Sequence, residues 1–218
     1  MPGDPEKILS LLREATRTFT PPMTELIVDK YGRDPFLVLI SCLLSLRARD
    51  VMTFPVSCAL FEHAKTPHEL AQLPNATIER IIKPIGFYRK KAQIIRHVAQ
   101  YLIDHYAGTV PHTDEELRAI PGIGPKTAAL VLSEGFSIPA LCVDVHVHRI
   151  ANRLGIVQTT HPEETEAALQ QLIPRHEWRD VNRLFVMWGQ NICTPQSPWC
   201  SRCPLAPLCQ KVGVTRSR

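Results

Sequence analysis

The sequence predicts an all-α protein of about ten helices joined by short connections. Three observations carry this. Apolar residues recur at helical spacing along most of the chain, strand-like alternation is scarce, and proline outnumbers glycine by 19 to 10. Prolines in such excess mark helix starts and stops, where a missing N–H costs little, rather than hairpin turns.

The elements follow in order. From Pro5 to Phe19, the side chains of Ile8, Leu9, Leu12, Ala15 and Phe19 form one stripe, as an amphipathic helix requires. Comparable stretches run Pro35 to Leu46, Asp50 to His63, Lys90 to Tyr106 and Pro125 to Glu134. Three more run Val145 to Leu154, Pro162 to Ile173 and Asp180 to Ile192. Pro35, Pro67, Pro125 and Pro162 fall between these segments or at their first turns. Pro55 is the exception, and predicts either a kink in its helix or a later start. No solenoid-period repeat is present. There is a faint echo: Ile85-Gly86-Phe87-Tyr88 opens one helix and Ile120-Pro121-Gly122-Ile123-Gly124 opens another. After Gln190, Cys, Pro, Trp and Ser dominate and helical periodicity stops, so this stretch needs a staple.

Composition excludes several classes. A chain of 218 residues, 44% hydrophobic and 21% charged, is an ordinary globular protein of one domain or two small ones. No apolar run approaches the roughly 20 residues of a membrane helix. Met1 to Ser10 holds Asp4 and Glu6 and lacks an apolar signal core, so no targeting signal is expected. A net charge of +4 is too mild to identify a nucleic-acid binder. Seven cysteines without a signal peptide argue against a disulfide framework and toward metal or free thiols.

Four of them, Cys193, Cys200, Cys203 and Cys209, crowd one proline-broken loop with spacing C-x6-C-x2-C-x5-C. Four thiolates so placed can converge on one centre, either structural zinc or a [4Fe–4S] cluster. Cys42, Cys58 and Cys142 lie in apolar helical surroundings and read as buried small hydrophobes.

Leu117 to Ala128, LRAIPGIGPKTA, reads as a helix, a tight glycine turn and a second helix. Gly122 and Gly124 allow a turn that a Cβ would block, and they expose N–H groups able to hold a phosphate oxygen. Leu117, Ile120, Ile123 and Ala128 lock the helices together. Lys126 stands in the first turn, where the helix dipole disfavours a cation. With partial burial, that position lowers its pKa and yields a neutral amine for nucleophilic attack. The competing reading is an exposed lysine touching a phosphate. Asp144 is an N-cap that can also face a cleft. His146 and His148 stand two apart on a helix, point different ways, and do not suggest a metal.

Together these residues resemble the endonuclease III family of DNA glycosylases, in the helix-hairpin-helix superfamily. The resemblance runs through LLSLRARD (Leu43 to Asp50), IGFYRKKA (Ile85 to Ala92), the glycine turn, VDVHVHR (Val143 to Arg149) and the four-cysteine loop. It implies a two-lobed all-α fold: a six-helix barrel over 28–138, and a second lobe of 1–27 with 139–218 that carries a [4Fe–4S] cluster on the four cysteines. DNA would lie across the cleft, with Lys126 and Asp144 supplied by different lobes. Lys126 would attack C1′ of a flipped nucleotide, and Asp144 would assist. β-Elimination would then cut the strand. The resemblance also places Arg47, Phe87, Lys91, Gly122, Ile123, Gly124, Thr127 and His146 at the DNA, with Phe87 as an apolar wedge. It implies a monomeric, cytoplasmic, prokaryotic-type enzyme acting on duplex DNA with damaged bases, oxidised pyrimidines above all, or abasic sites.

Two departures stand out. Arg47 replaces the glutamine that usually fills the hole left by the flipped base; arginine can pair with guanine, so an altered opposite-base preference is expected. Thr194 to Trp199 carries no charge where basic residues are usual, and Arg202, Lys211, Arg216 and Arg218 stand near enough in sequence to compensate. Two rival readings remain at this point. A monofunctional mismatch glycosylase would lack the lysine and carry a glutamate near position 41, where this chain has Ser41. A non-catalytic DNA-binding protein would need neither Lys126 nor Asp144.

Overall fold

The computed structural model describes residues 4–218. Among the described residues there are twelve α-helices and no strand. The chain forms two compact units, Met1–Pro22 with Pro139–Arg218, and Met23–Ile138. The first boundary falls at Met23, which starts a helix, and not at Val28 inside that helix.

Helix starts are written in caps. Helix α1 (Pro5–Ala15) begins where the Asp4 carboxylate accepts from the Glu6 N–H at 3.1 Å. In the central unit, α2 (Met23–Tyr31) is followed by α3 (Pro35–Ser45). Asp34 opens α3 by accepting from the Phe36 and Leu37 N–H groups at 2.8 and 3.0 Å. Such caps are worth about 1 kcal/mol each. Every residue from Phe36 to Leu44 is buried. A helix apolar all round must be central, and α3 is wrapped by its neighbours on several sides. Helix α4 (Asp50–Phe61) starts where periodicity places it and continues through Pro55. Then come α5 (Pro67–Gln72), opened by a Thr66–Glu69 capping box, α6 (Asn75–Ile82) and the long α7 (Tyr88–Tyr106). Helices α8 (Asp114–Ala119) and α9 (Pro125–Leu130) follow, and α9 runs into a π turn, Val131–Gly135.

In the terminal unit, α10 (Val145–Leu154), α11 (Pro162–Leu172) and α12 (Trp178–Asn191) pack with α1 around Ile8, Leu12, Ile150, Leu154, Leu169 and Phe185. Arg13 on α1 pairs with both Glu177 and Asp180 at the start of α12. The half-buried Cys193, Cys203 and Cys209 lie against the same core.

Candidate active site

The glycine turn is built as its sequence implies, with one difference. Leu117, Ile120, Ile123 and Ala128 are all buried between α8 and α9. Gly122 has φ +97°, and a Cβ there would stand 3.3 Å from Ile94 Cγ2. Only glycine adopts that conformation at low cost. Gly124 has φ −98° and nothing within 4 Å of an added Cβ. The turn therefore requires the first glycine alone; the second leaves the surface open.

Lys126 stands in the first turn of α9 and is exposed. The expected partial burial is absent, because the chain emerges from the turn at the surface before α9 enters the core. Its place at the positive end of the helix remains. Its charge reaches Cys42. Burial pushes the Cys42 thiol up to about 12; Lys126 pulls it down, and Glu134 and Asp50 push it further up. Glu134 is buried in the π turn. Sequence reasoning passed over it, although a single acid in the run Leu130 to Phe136 is a signal that could have found it. Ser41, where the rival glycosylase type carries a glutamate, is fully buried and donates to Val38 O at 2.8 Å.

Three of the expected DNA contacts need correction. The side chains of Ile123 and Thr127 are buried, because they pack the helices together. Lys91 is also buried; its ammonium donates to Leu44 O at 2.7 Å, and burial pushes its pKa down. Its ammonium is engaged by the end of α3.

Arg47 and Phe87 behave differently. Both lie outside the helices in the left-handed region, with φ +55° and +57°. Phe87 is 63% exposed, which excludes a core role. The left-handed residue of this loop is Phe87 and not its glycine neighbour, and strain of this kind clusters at functional sites. A groove of about 450 Å³ has Arg47, Ala48, Arg49 and Met52 on one side and Pro84 to Gly86 on the other.

In the terminal unit, Asp144 is buried and caps α10, with Oδ1 accepting from the His146 and Val147 N–H groups at 2.8 and 3.0 Å. His146 is half-buried, its Nδ1 3.1 Å from Arg149 Nη2. His148 Nδ1 lies 2.6 Å from Thr165 Oγ1, so the two imidazoles have separate partners.

The cysteine loop joins the far end of α10. Arg153 donates to Cys193 Sγ at 3.4 Å and to Thr194 O at 2.7 Å, and its own carbonyl accepts from the Cys209 thiol at 3.3 Å. None of the four cysteines is in a disulfide, and all line one cavity with Trp188 and Leu205. Burial pushes the Cys203 and Cys209 thiols up, while N–H groups of Leu205 and Lys211 respectively pull them down. Among the described residues, no three His, Cys, Asp or Glu side chains converge closely enough to hold a single metal ion. Cys42, Cys58 and Cys142 are buried, as predicted.

Comparison with known proteins agrees with this geometry. Residues 40–175 match the profile of the HhH-GPD superfamily base excision DNA repair protein. The chain is 49% identical over 189 residues to endonuclease III of Thermotoga maritima, covering 84% of this chain and 89% of that one. It is similar to the structure of a non-covalent endonuclease III–DNA complex, with TM-score 0.84, 35% identity and 94% of each chain covered. It is also similar to a trapped endonuclease III–DNA covalent intermediate, with TM-score 0.80, 36% identity and 94% and 95% covered. The profile spans more than half of the chain and defines its class, the helix-hairpin-helix base-excision superfamily. Within that class, the chain belongs to the endonuclease III family.

Proposed function

We propose that this chain is a base-excision-repair DNA glycosylase with AP lyase activity, in which Lys126 is the nucleophile and Asp144 supplies the assisting carboxylate. The observation that carries this reading is Lys126 itself: an exposed lysine in the first turn of α9, directly after a turn that requires glycine at 122. The similarity to a trapped covalent endonuclease III–DNA intermediate supports a covalent route.

The chemistry follows from an amine at that point. A base inside the stack is out of reach, so the nucleotide is extruded. Lys126 Nζ, as the free amine, attacks C1′. The C1′–N bond breaks, and its electron pair leaves with the base, which takes up a proton. The lysine nitrogen gives up its proton as the sugar opens to a Schiff base. That cation acidifies the C2′ proton; its removal expels the 3′ phosphate and cuts the strand. Asp144, whose Oδ1 accepts from two N–H groups, assists by taking the lysine proton or by stabilising the cationic sugar.

Phe87 enters the duplex as a wedge, which offsets the cost of unstacking. Arg47 faces the base opposite the lesion and favours guanine through its two parallel donors. The open face at Gly124 admits a phosphate oxygen to the N–H groups of the turn. Oxidised pyrimidines in duplex DNA are the substrate class, and the enzyme acts as a cytoplasmic monomer.

The four cysteines fit a [4Fe–4S] cluster. They ring one cavity as free thiols, with N–H donors aimed at their sulfurs, and in such a cluster each thiolate holds a different iron and need not converge on one ion. When bound, the cluster supplies a rigid core to a loop that cannot pack one by itself; no step of the reaction passes through it.

The test is nicking of a duplex with one abasic site. Wild type is expected to cut, and Lys126→Ala to lose cutting entirely. Cutting by the variant at the wild-type rate would refute the assignment.

A further inference from the structure

The reaction outlined above leaves Lys91 without a part, yet its environment is unusual. It lies in the first turn of α7 and is buried. Its Nζ crosses to α3 and donates to Leu44 O at 2.7 Å. Leu44 belongs to the last turn of α3, whose carbonyls have no acceptor role within the helix. Helix α3 ends at Ser45, Leu46 caps it, and Arg47 follows at φ +55°. At the backbone, the Lys91 N–H donates to Phe87 O at 3.0 Å, and Phe87 stands at φ +57° without a side-chain cap to hold it.

One residue thus bonds through its side chain to the end of α3, three positions before Arg47, and through its backbone to Phe87. Arg47 and the three residues just before Phe87, Pro84 to Gly86, line one groove. Strained conformations persist only where their surroundings over-determine them. Burying an ammonium is costly unless it is hydrogen-bonded, and burial does push this one toward its neutral form. An apolar side chain would fill the space at less cost, so the donor at this position has a use beyond packing.

We propose that Lys91 is a positioning residue that fixes the Arg47 and Phe87 segments relative to each other, so that the wedge and the opposite-base contact enter the duplex together. The proposal rests on reading Arg47 and Phe87 as DNA-contacting residues. It assigns Lys91 no contact with DNA.

Lys91→Met keeps the buried stem and removes the donor. Ile95→Val, a core change on the same helix, controls for plain loss of stability. Three quantities are measured: backbone hydrogen exchange over 46–49 and 87–89, base release from a duplex carrying an oxidised pyrimidine, and nicking of a single-stranded abasic oligonucleotide. In Lys91→Met, exchange in both segments is expected to rise about tenfold, and base release from the duplex to fall about tenfold or more, as misplacement by a fraction of an ångström implies. Single-stranded nicking, which needs Lys126 and no wedge, is expected to stay at the wild-type rate, and Ile95→Val to change none of the three. Unchanged exchange in either segment overturns the proposal, as does an equal loss of duplex and single-stranded activity. If exchange rises in both segments while Phe87→Ala and Arg47→Ala leave duplex base release intact, the brace stands and the DNA reading of the two loops fails.

Discussion

An alanine at position 122 would have to adopt φ +97° with its Cβ 3.3 Å from Ile94 Cγ2. Gly122→Ala is therefore expected to cost about 1–2 kcal/mol, seen as a lower Tm. At position 124 a Cβ meets nothing within 4 Å. Gly124→Ala is expected to leave Tm unchanged but to weaken binding to abasic-site duplex, because the added methyl occupies the approach of a phosphate. Equal effects of both changes on Tm would contradict the distinction. At Arg47, cleavage of one lesion paired with each of the four bases is the relevant panel. Wild type is expected to favour guanine opposite the lesion and Arg47→Gln to lose that preference; identical profiles would remove arginine from opposite-base reading. At this scale the sequence was legible where chemistry is local. A lysine after a glycine turn and a caps-forming aspartate declare themselves. Lys91 did not, because its burial is set by a carbonyl 47 positions away. Nor did the left-handed backbone of Phe87, which has a glycine beside it.

Helix α10 links Asp144 to the cysteine loop along one rod. Its N-terminus carries Asp144 and its C-terminal carbonyls receive the cysteine loop, through Gln210 N–H to Leu154 O at 3.4 Å and Val212 N–H to Arg153 O at 3.2 Å. Asparagine caps a helix about as well as aspartate. Asp144→Asn is therefore expected to keep Tm while lowering abasic-site nicking by about 10²–10⁴-fold. Asp144→Ala is expected to lose the same activity and also about 1 kcal/mol of stability. Full activity in the asparagine variant would reduce Asp144 to a structural cap. Among elements, α1, α3, α9, α10 and α11, which open with proline or a capping acid, were predicted within a few residues. Helices α2, α5 and α6 escaped prediction. Two of these have only 6 and 8 residues, too short for a helical apolar period to stand out, and they form because their apolar residues find α7 and α4. Helix α3 shows the opposite case: its apolar residues were read as one stripe, yet Phe36 to Leu44 are all buried and it has no polar face.

At the level of the molecule, the C-terminal loop has no helix longer than three residues after Asn191, and the proposed cluster is its staple. The purified protein is expected to be brown, and Cys203→Ala to lose the colour and at least about 4 °C of Tm, on the scale of 1–2 kcal/mol for a chain of this size. A colourless protein with one bound zinc would contradict the cluster assignment. The two-unit organisation could be read in outline from resemblance alone, but its first boundary could not, since only the folded chain shows α2 beginning at Met23 and belonging whole to the central unit. No helix among the described residues is long and apolar enough to cross a membrane.

The central claim is that Lys126 becomes covalently bound to DNA during turnover. Borohydride reduction during reaction with an abasic-site duplex tests it directly, since it converts a Schiff base into a stable amine. Wild type is expected to yield an enzyme–DNA adduct that survives denaturation and maps to Lys126, with none from Lys126→Ala. An undiminished adduct from Lys126→Ala, or base release by the wild type with no adduct at all, would contradict it.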